Sequence, residues 1–130
     1  MHYSEFPNYK EIVEIFQPDT IYKVMERAAA SDSAFAKKLV QQLSRMSPLA
    51  LAVNFELIKR SEQKRYRDVL LFEWQVGAKL FQSGEIFEGV RALLVDKDNK
   101  PQWKFKSLTD ITPDLIETFF KPSVEPIQLE

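Results

Sequence analysis

The chain has no cysteine, so disulfides and thiolate chemistry are excluded. It has three glycines in 130 residues, each in or beside a stretch with helical spacing, and so no glycine-rich loop to cradle a phosphate or an acyl oxygen. There is one histidine, His2, near the N-terminus, where it reads as incidental rather than catalytic. No apolar run approaches the ~20 residues that cross a bilayer, and the N-terminus lacks the apolar segment of a secretory signal. Neither sign of charge dominates, since 18 basic residues face 19 acidic ones. That balance gives no electrostatic reason to expect a nucleic acid or membrane partner. Alternating strand patterns and internal repeats are missing too. The expected product is soluble.

What is present is helical periodicity. Residues 1–130 read as one compact all-α domain of about six or seven helices without a sheet, with 1–7 and 122–130 expected to fray. Asn8 precedes a short pattern, Tyr9 to Phe16, that Gln17 and Pro18 end. Asp19 is placed to cap a helix bearing Ile21, Val24, Met25, Ala28 and Ala29, and Ser31 or Asp32 to cap a third with Phe35, Leu39, Leu43 and Met46 on one side. Lys37, Lys38, Gln41 and Gln42 on its other side should meet water. Ser47-Pro48 is an N-cap followed by proline at the first helical position. The helix it opens, through Leu49, Leu51, Val53, Phe55, Leu57 and Ile58, is apolar almost all round, so it should pack on more than one side.

The run from Lys59 to Arg65 reads as a solvated turn rather than a phosphate patch, because Glu62 and Asp68 interrupt it. A long helix follows from Tyr66 to about Ser83, with Val69, Phe72, Val76 and Leu80 on one face and Leu70, Trp74, Gly77 and Phe81 beside it. Glu73 falls on the first of these faces and is expected to form a buried ion pair with Arg91, rather than to act as a general acid or base. From Glu85 the spacing of Ile86, Val90, Leu93 and Leu94 predicts a buried stripe, and Gly89 suggests that another backbone passes too close for a Cβ. Asp96 to Pro101 is a charged turn anchored by Trp103. Thr112-Pro113-Asp114 opens a last helix with Leu115, Ile116, Phe119 and Phe120.

The stretch EGVRALLVDKDNKPQW, from Glu88 to Trp103, resembles the C-terminal signature of the 3-hydroxyisobutyryl-CoA hydrolases, a branch of the crotonase (enoyl-CoA hydratase/isomerase) superfamily, where a motif close to DFxEGVRAxLxDKDxxPxW recurs. SPLALAVNFELIKR resembles that family's SPTSLKVT-type helix, VLLFEWQVG its glutamate-bearing segment, and LIETFFKP its closing helix. Three positions depart from the pattern: Glu85 and Ile86 replace the usual Asp and Phe, and Ala52 the usual Lys.

The resemblance implies the non-catalytic C-terminal helical region of an enzyme that hydrolyses 3-hydroxyisobutyryl-CoA in valine catabolism. The family's catalytic carboxylates lie in a core upstream of the matched region, so no catalytic residue is carried over, and the chain alone is expected to be inactive. No tightly bound cofactor or metal is implied. Coenzyme A of an acyl-CoA substrate is the implied ligand, with Lys97 and Lys100 as phosphate contacts and Trp103 or Phe105 as an adenine platform. The alternative for that turn is a surface loop pinned by Trp103. The implied partner is a crotonase-type catalytic core or an identical subunit, giving a homo-oligomer. A freestanding helical interaction or structural subunit derived from the family is the second reading. The compartment would be cytoplasmic in a bacterium and mitochondrial in a eukaryote.

Overall fold

A computed structural model describes residues 6–122. His2, most of the stretches expected to fray, and Pro126 lie outside the described residues. Among the described residues there are seven α-helices and no strand, in agreement with the all-α reading. The chain separates into two compact units that divide between Met46 and Ser47.

The first unit holds α1 (Tyr9–Phe16), α2 (Ile21–Ala30) and α3 (Ala34–Leu43). Ile15, Ile21, Val24, Ala28 and Ala36 are buried. The caps lie one residue or more beyond the expected positions. Thr20 rather than Asp19 accepts from the Lys23 amide, and Ser33 rather than Ser31 or Asp32 accepts from that of Ala36. In each case the hydroxyl nearest the first helical residue is the one within reach of the open amides. Ser33 also donates to the Glu11 carboxylate, and Arg27 donates to the Glu14 carbonyl at 2.6 Å, tying α1 to its two neighbours. Asn8 sits in the left-handed region (φ 61°) and makes no side-chain cap bond. Met46 lies beyond the end of α3 and is exposed.

The second unit holds α4 (Pro48–Ser61), α5 (Tyr66–Gln82), α6 (Glu85–Val90) and α7 (Pro113–Phe120). A π-helical turn, Arg91–Val95, continues α6, and a 3-10 turn, Leu108–Asp110, precedes α7. Helix α5 contacts α4, α6 and α7 and supplies Val76 and Leu80 to the interior. Ser47 and Thr112 cap α4 and α7 as expected, each followed by proline. Ile58, expected to be packed, points to solvent instead; only Leu49, Ala52 and Val53 in the first half of α4 are buried with Pro48.

The basic run from Lys59 to Arg65 is only partly a solvated turn, because α4 continues through Lys59 and Arg60 to Ser61. Arg60 donates to Glu56 and Glu117 and lies 4.2 Å over the Phe120 ring, joining α4 to α7. Phe120 in turn meets Phe72 of α5 at 5.4 Å between ring centres. The Lys79 ammonium donates to the carbonyls of Thr118 and Lys121, which places a cation at the negative end of α7. Between α5 and α6, Gly84 takes φ 86°, a backbone state that glycine adopts without the Cβ penalty.

Candidate functional site

Helix α6 is turned the opposite way from a surface helix. Its apolar stripe was expected to be buried, yet Ile86, Val90, Leu93 and Leu94 are 43%, 42%, 57% and 67% exposed, whereas Glu85 is only 5% exposed. At 100° per residue, Glu85, Glu88, Gly89 and Ala92 share an arc of about 100°, and this is the side that faces the unit's interior. The reason is a set of hydrogen bonds that only this side can make. Glu85 accepts from the Ser47 hydroxyl at the start of α4 and from the Lys104 amide at 3.0 Å. Glu88, one turn on, accepts from the Gln102 amide at 2.7 Å. Two carboxylates three apart on the helix therefore pair with two amides two apart on the returning chain. Trp103, between those amides, lies against Gly89.

Gly89 thus has a different cause from the one expected. A Cβ there would stand 3.3 Å from Trp103 Cη2, so the close neighbour is an indole ring and not a backbone.

Arg91 organises the charged turn. Its Nε and Nη2 donate to the two oxygens of Glu88 at 2.9 and 2.6 Å, its Nη1 to Asp96 and Asp98 at 2.6 and 2.9 Å, and Nη2 also to the Lys100 carbonyl at 3.3 Å. This neighbourhood holds the Glu88 carboxyl down at about 2, first through the Arg91 hydrogen bond and then through the Gln102 amide. It lowers Asp98 in the same way, and it raises Arg91 above its ordinary value. The backbone of the turn is left-handed at Lys97 (φ 54°) and Asn99 (φ 55°), and the Asn99 amide returns to the Ala92 carbonyl at 3.0 Å.

The expected pair between Glu73 and Arg91 does not form. Arg91 is taken by Glu88, Asp96 and Asp98, and Glu73 is exposed on α5. Local reach explains this: acids three, five and seven residues away encircle the guanidinium, leaving no donor for a more distant partner. Of the four residues expected to meet coenzyme A, Lys97 and Lys100 are both exposed on the turn, and Trp103 and Phe105 are half-buried on the chain that follows it. Glu85 and Glu88 were not singled out as site residues. Their signal was present in their sharing one side of α6 with Gly89, opposite the apolar stripe. Ala52, where the related pattern has lysine, is buried in α4.

Next to the exposed stripe lies a mostly apolar groove of about 530 Å³ between α5 and α6, lined by Glu73, Trp74, Gly77, Ala78, Phe81, Gln82 and Ile86. Phe81 meets Phe87 at 4.7 Å between ring centres, which joins groove and stripe into one face. No group of three or more histidine, aspartate and glutamate side chains is arranged to hold a metal among the described residues.

A sequence profile described as Enoyl-CoA hydratase/isomerase matches residues 2–120. The chain is similar to the mitochondrial 3-hydroxyisobutyryl-CoA hydrolase of Xenopus laevis, 35% identical over 113 residues that make up 87% of this chain and 29% of the relative. It is similar to the Homo sapiens protein of the same name at 28% identity over 111 residues, again 29% of that protein. The chain therefore spans less than a third of the curated relatives it matches. Among solved structures, an enoyl-CoA hydratase from Rhodobacter sphaeroides superimposes with a TM-score of 0.81 at 28% identity, over 88% of this chain and 34% of that one. A carnitinyl-CoA dehydratase from Mycobacterium thermoresistibile does so at 0.81 and 27%, over 89% and 33%.

Proposed function

Because the chain belongs to the enoyl-CoA hydratase/isomerase family, within the crotonase superfamily, we propose that it is the non-catalytic helical portion of a 3-hydroxyisobutyryl-CoA hydrolase-like enzyme. The complete enzyme cleaves an acyl-CoA thioester in valine catabolism. This portion covers the acyl-CoA site and packs against the catalytic core or an identical subunit. The observation that carries the reading is the orientation of α6, whose hydrogen bonds turn its apolar stripe away from the chain's own interior. An apolar face held outward by a buried carboxylate has a use only when a partner covers it. Further support comes from the 29% share of the hydrolase relatives that the chain spans, which leaves room in them for a separate reactive core. Mitochondria are the compartment of the named eukaryotic relatives, and the same compartment is proposed for a eukaryotic source, with the cytoplasm for a bacterial one.

In this reading the charged turn borders the nucleotide end of the substrate. Lys97 and Lys100 supply ammonium groups to its phosphates, and Trp103, seated on Gly89, offers an indole to the adenine. Arg91 serves the turn rather than the ligand, since its donors are already engaged within it. The test has two arms. The purified chain, given 3-hydroxyisobutyryl-CoA, should release no free thiol alone and should support release when mixed with the part of the Xenopus laevis hydrolase that lies outside the match. Calorimetry with coenzyme A on that mixture should lose heat with Lys97→Ala and Lys100→Ala. Thioester cleavage by the chain unaided would overturn the proposal.

A further inference from the structure

We propose that Arg91 is a positioning residue for the coenzyme A phosphates: its guanidinium gathers the acids of the 96–100 turn to itself and so presents Lys97 and Lys100 as free cations. The inference rests on the reading above for the identity of the ligand, and adds to it the residue that makes the two lysines available. Three observations carry it.

The first is that Arg91 has no donor left for a ligand. Nε and Nη2 go to Glu88, Nη1 goes to Asp96 and Asp98, and Nη2 also reaches the Lys100 carbonyl, so any effect on a bound molecule passes through the turn. The second is what these bonds withhold. Asp96 and Asp98 flank Lys97 in the chain, and Asp98 stands two residues before Lys100, so either lysine could be neutralised by a neighbour. Instead Asp96 and Asp98 each turn an oxygen to Arg91, at 2.6 and 2.9 Å, and the other oxygen of Asp98 accepts from the Lys100 amide at 2.8 Å. Neither lysine ammonium makes an ion pair or hydrogen bond among the described residues. With Arg91 in place, Glu88, Asp96 and Asp98 are balanced by Arg91, Lys97 and Lys100; without it the turn is net acidic and repels a phosphate.

The third is the backbone of Lys97. Its φ of 54° lies in the left-handed region, which a side chain with a Cβ disfavours and glycine does not. Asn99 tolerates the same state and is held there, its amide on the Ala92 carbonyl at 3.0 Å and its Nδ2 on the Lys97 carbonyl at 3.3 Å. A lysine kept at position 97 against its backbone preference has a use for its side chain, and no partner among the described residues supplies one.

The test is calorimetry on the chain mixed with the part of the Xenopus laevis hydrolase outside the match, titrated with coenzyme A and with pantetheine, which carries no nucleotide phosphate. Arg91→Lys should weaken coenzyme A by roughly tenfold and leave pantetheine within about twofold, because a lysine keeps one charge but cannot hold all three acids. Lys97→Gly should also weaken coenzyme A by roughly tenfold, while the thermal midpoint of the chain holds or rises as the left-handed strain is relieved. In a Lys97→Gly and Lys100→Ala background, Arg91→Lys should add less than about twofold, since it acts through those two side chains. An unchanged ratio of coenzyme A to pantetheine affinity in Arg91→Lys, or its full loss repeated in that background, would overturn the inference and leave the functional reading standing. No coenzyme A binding by the unaltered mixture, or binding indifferent to Lys97→Gly and Lys100→Ala, would remove the ligand from the functional reading and the inference with it.

Discussion

Replacing Glu85 by alanine is the most direct probe of why α6 faces as it does. The carboxylate is buried and accepts two hydrogen bonds, one from the Ser47 hydroxyl and one from the Lys104 amide. Hydrogen bonds to a charged group contribute about 1.5–3 kcal/mol each. Ser47 keeps its second role, accepting from the Ala50 amide at 3.1 Å, so its loss is confined to the donor side. The Lys104 side chain is exposed and its bond to Glu85 is only part-buried, so both bonds are counted at the lower end of that range. The net cost of Glu85→Ala is therefore about 3 kcal/mol, and for a chain of this size a fall in thermal midpoint of about 10 °C. Glu85→Gln keeps one acceptor and should lose about half as much.

The comparison is Glu73→Ala. Spacing alone assigned that residue a buried ion pair worth on the order of 3 kcal/mol. With Glu73 exposed and Arg91 occupied elsewhere, the change should stay within about 0.5 kcal/mol. Urea unfolding followed by far-ultraviolet circular dichroism measures both. Equal stabilities for Glu85→Ala and the unaltered chain, or a larger loss for Glu73→Ala than for Glu85→Ala, would refute the account of α6. A double-mutant cycle with Ser47→Ala should return a coupling of about 1–2 kcal/mol.

Other expectations follow from the same geometry. Glu88 sits at about 2 against an ordinary 4.5, so the unfolded chain binds its proton first as pH falls. Its contribution to order in the 96–103 turn is complete above about 4.5 and is lost as pH drops towards 2. Trp103 fluorescence in a Trp74→Phe background should follow that window, and a transition centred near neutral pH would contradict it. Gly89→Ala asks the Trp103 ring to move a few tenths of an ångström and should alter stability by less than about 1 kcal/mol, because the gain in helix propensity offsets the crowding. Gly89→Leu cannot be accommodated this way and should cost about 1–3 kcal/mol, with the Trp103 emission shifted to longer wavelength.

The sequence alone determined what depends on neighbours along the chain. Helix periods, the Ser47-Pro48 and Thr112-Pro113 starts, the charged turn and its tryptophan anchor are all local, and each stands where its spacing predicts. The stretch from Glu88 to Trp103 was specific enough to indicate the family to which the chain belongs. Which way a helix faces is not local. The apolar stripe of α6 carries a pattern that reads as buried, and it is exposed because Ser47, 38 positions away, and Lys104, 19 positions away, hold Glu85 inward. Arg91 is the opposite case: its partners Glu88, Asp96 and Asp98 lie three, five and seven positions away, and that local reach wins over the distant Glu73. Periodicity identifies the two sides of a helix, but hydrogen bonds made at long range choose which one is turned to the interior.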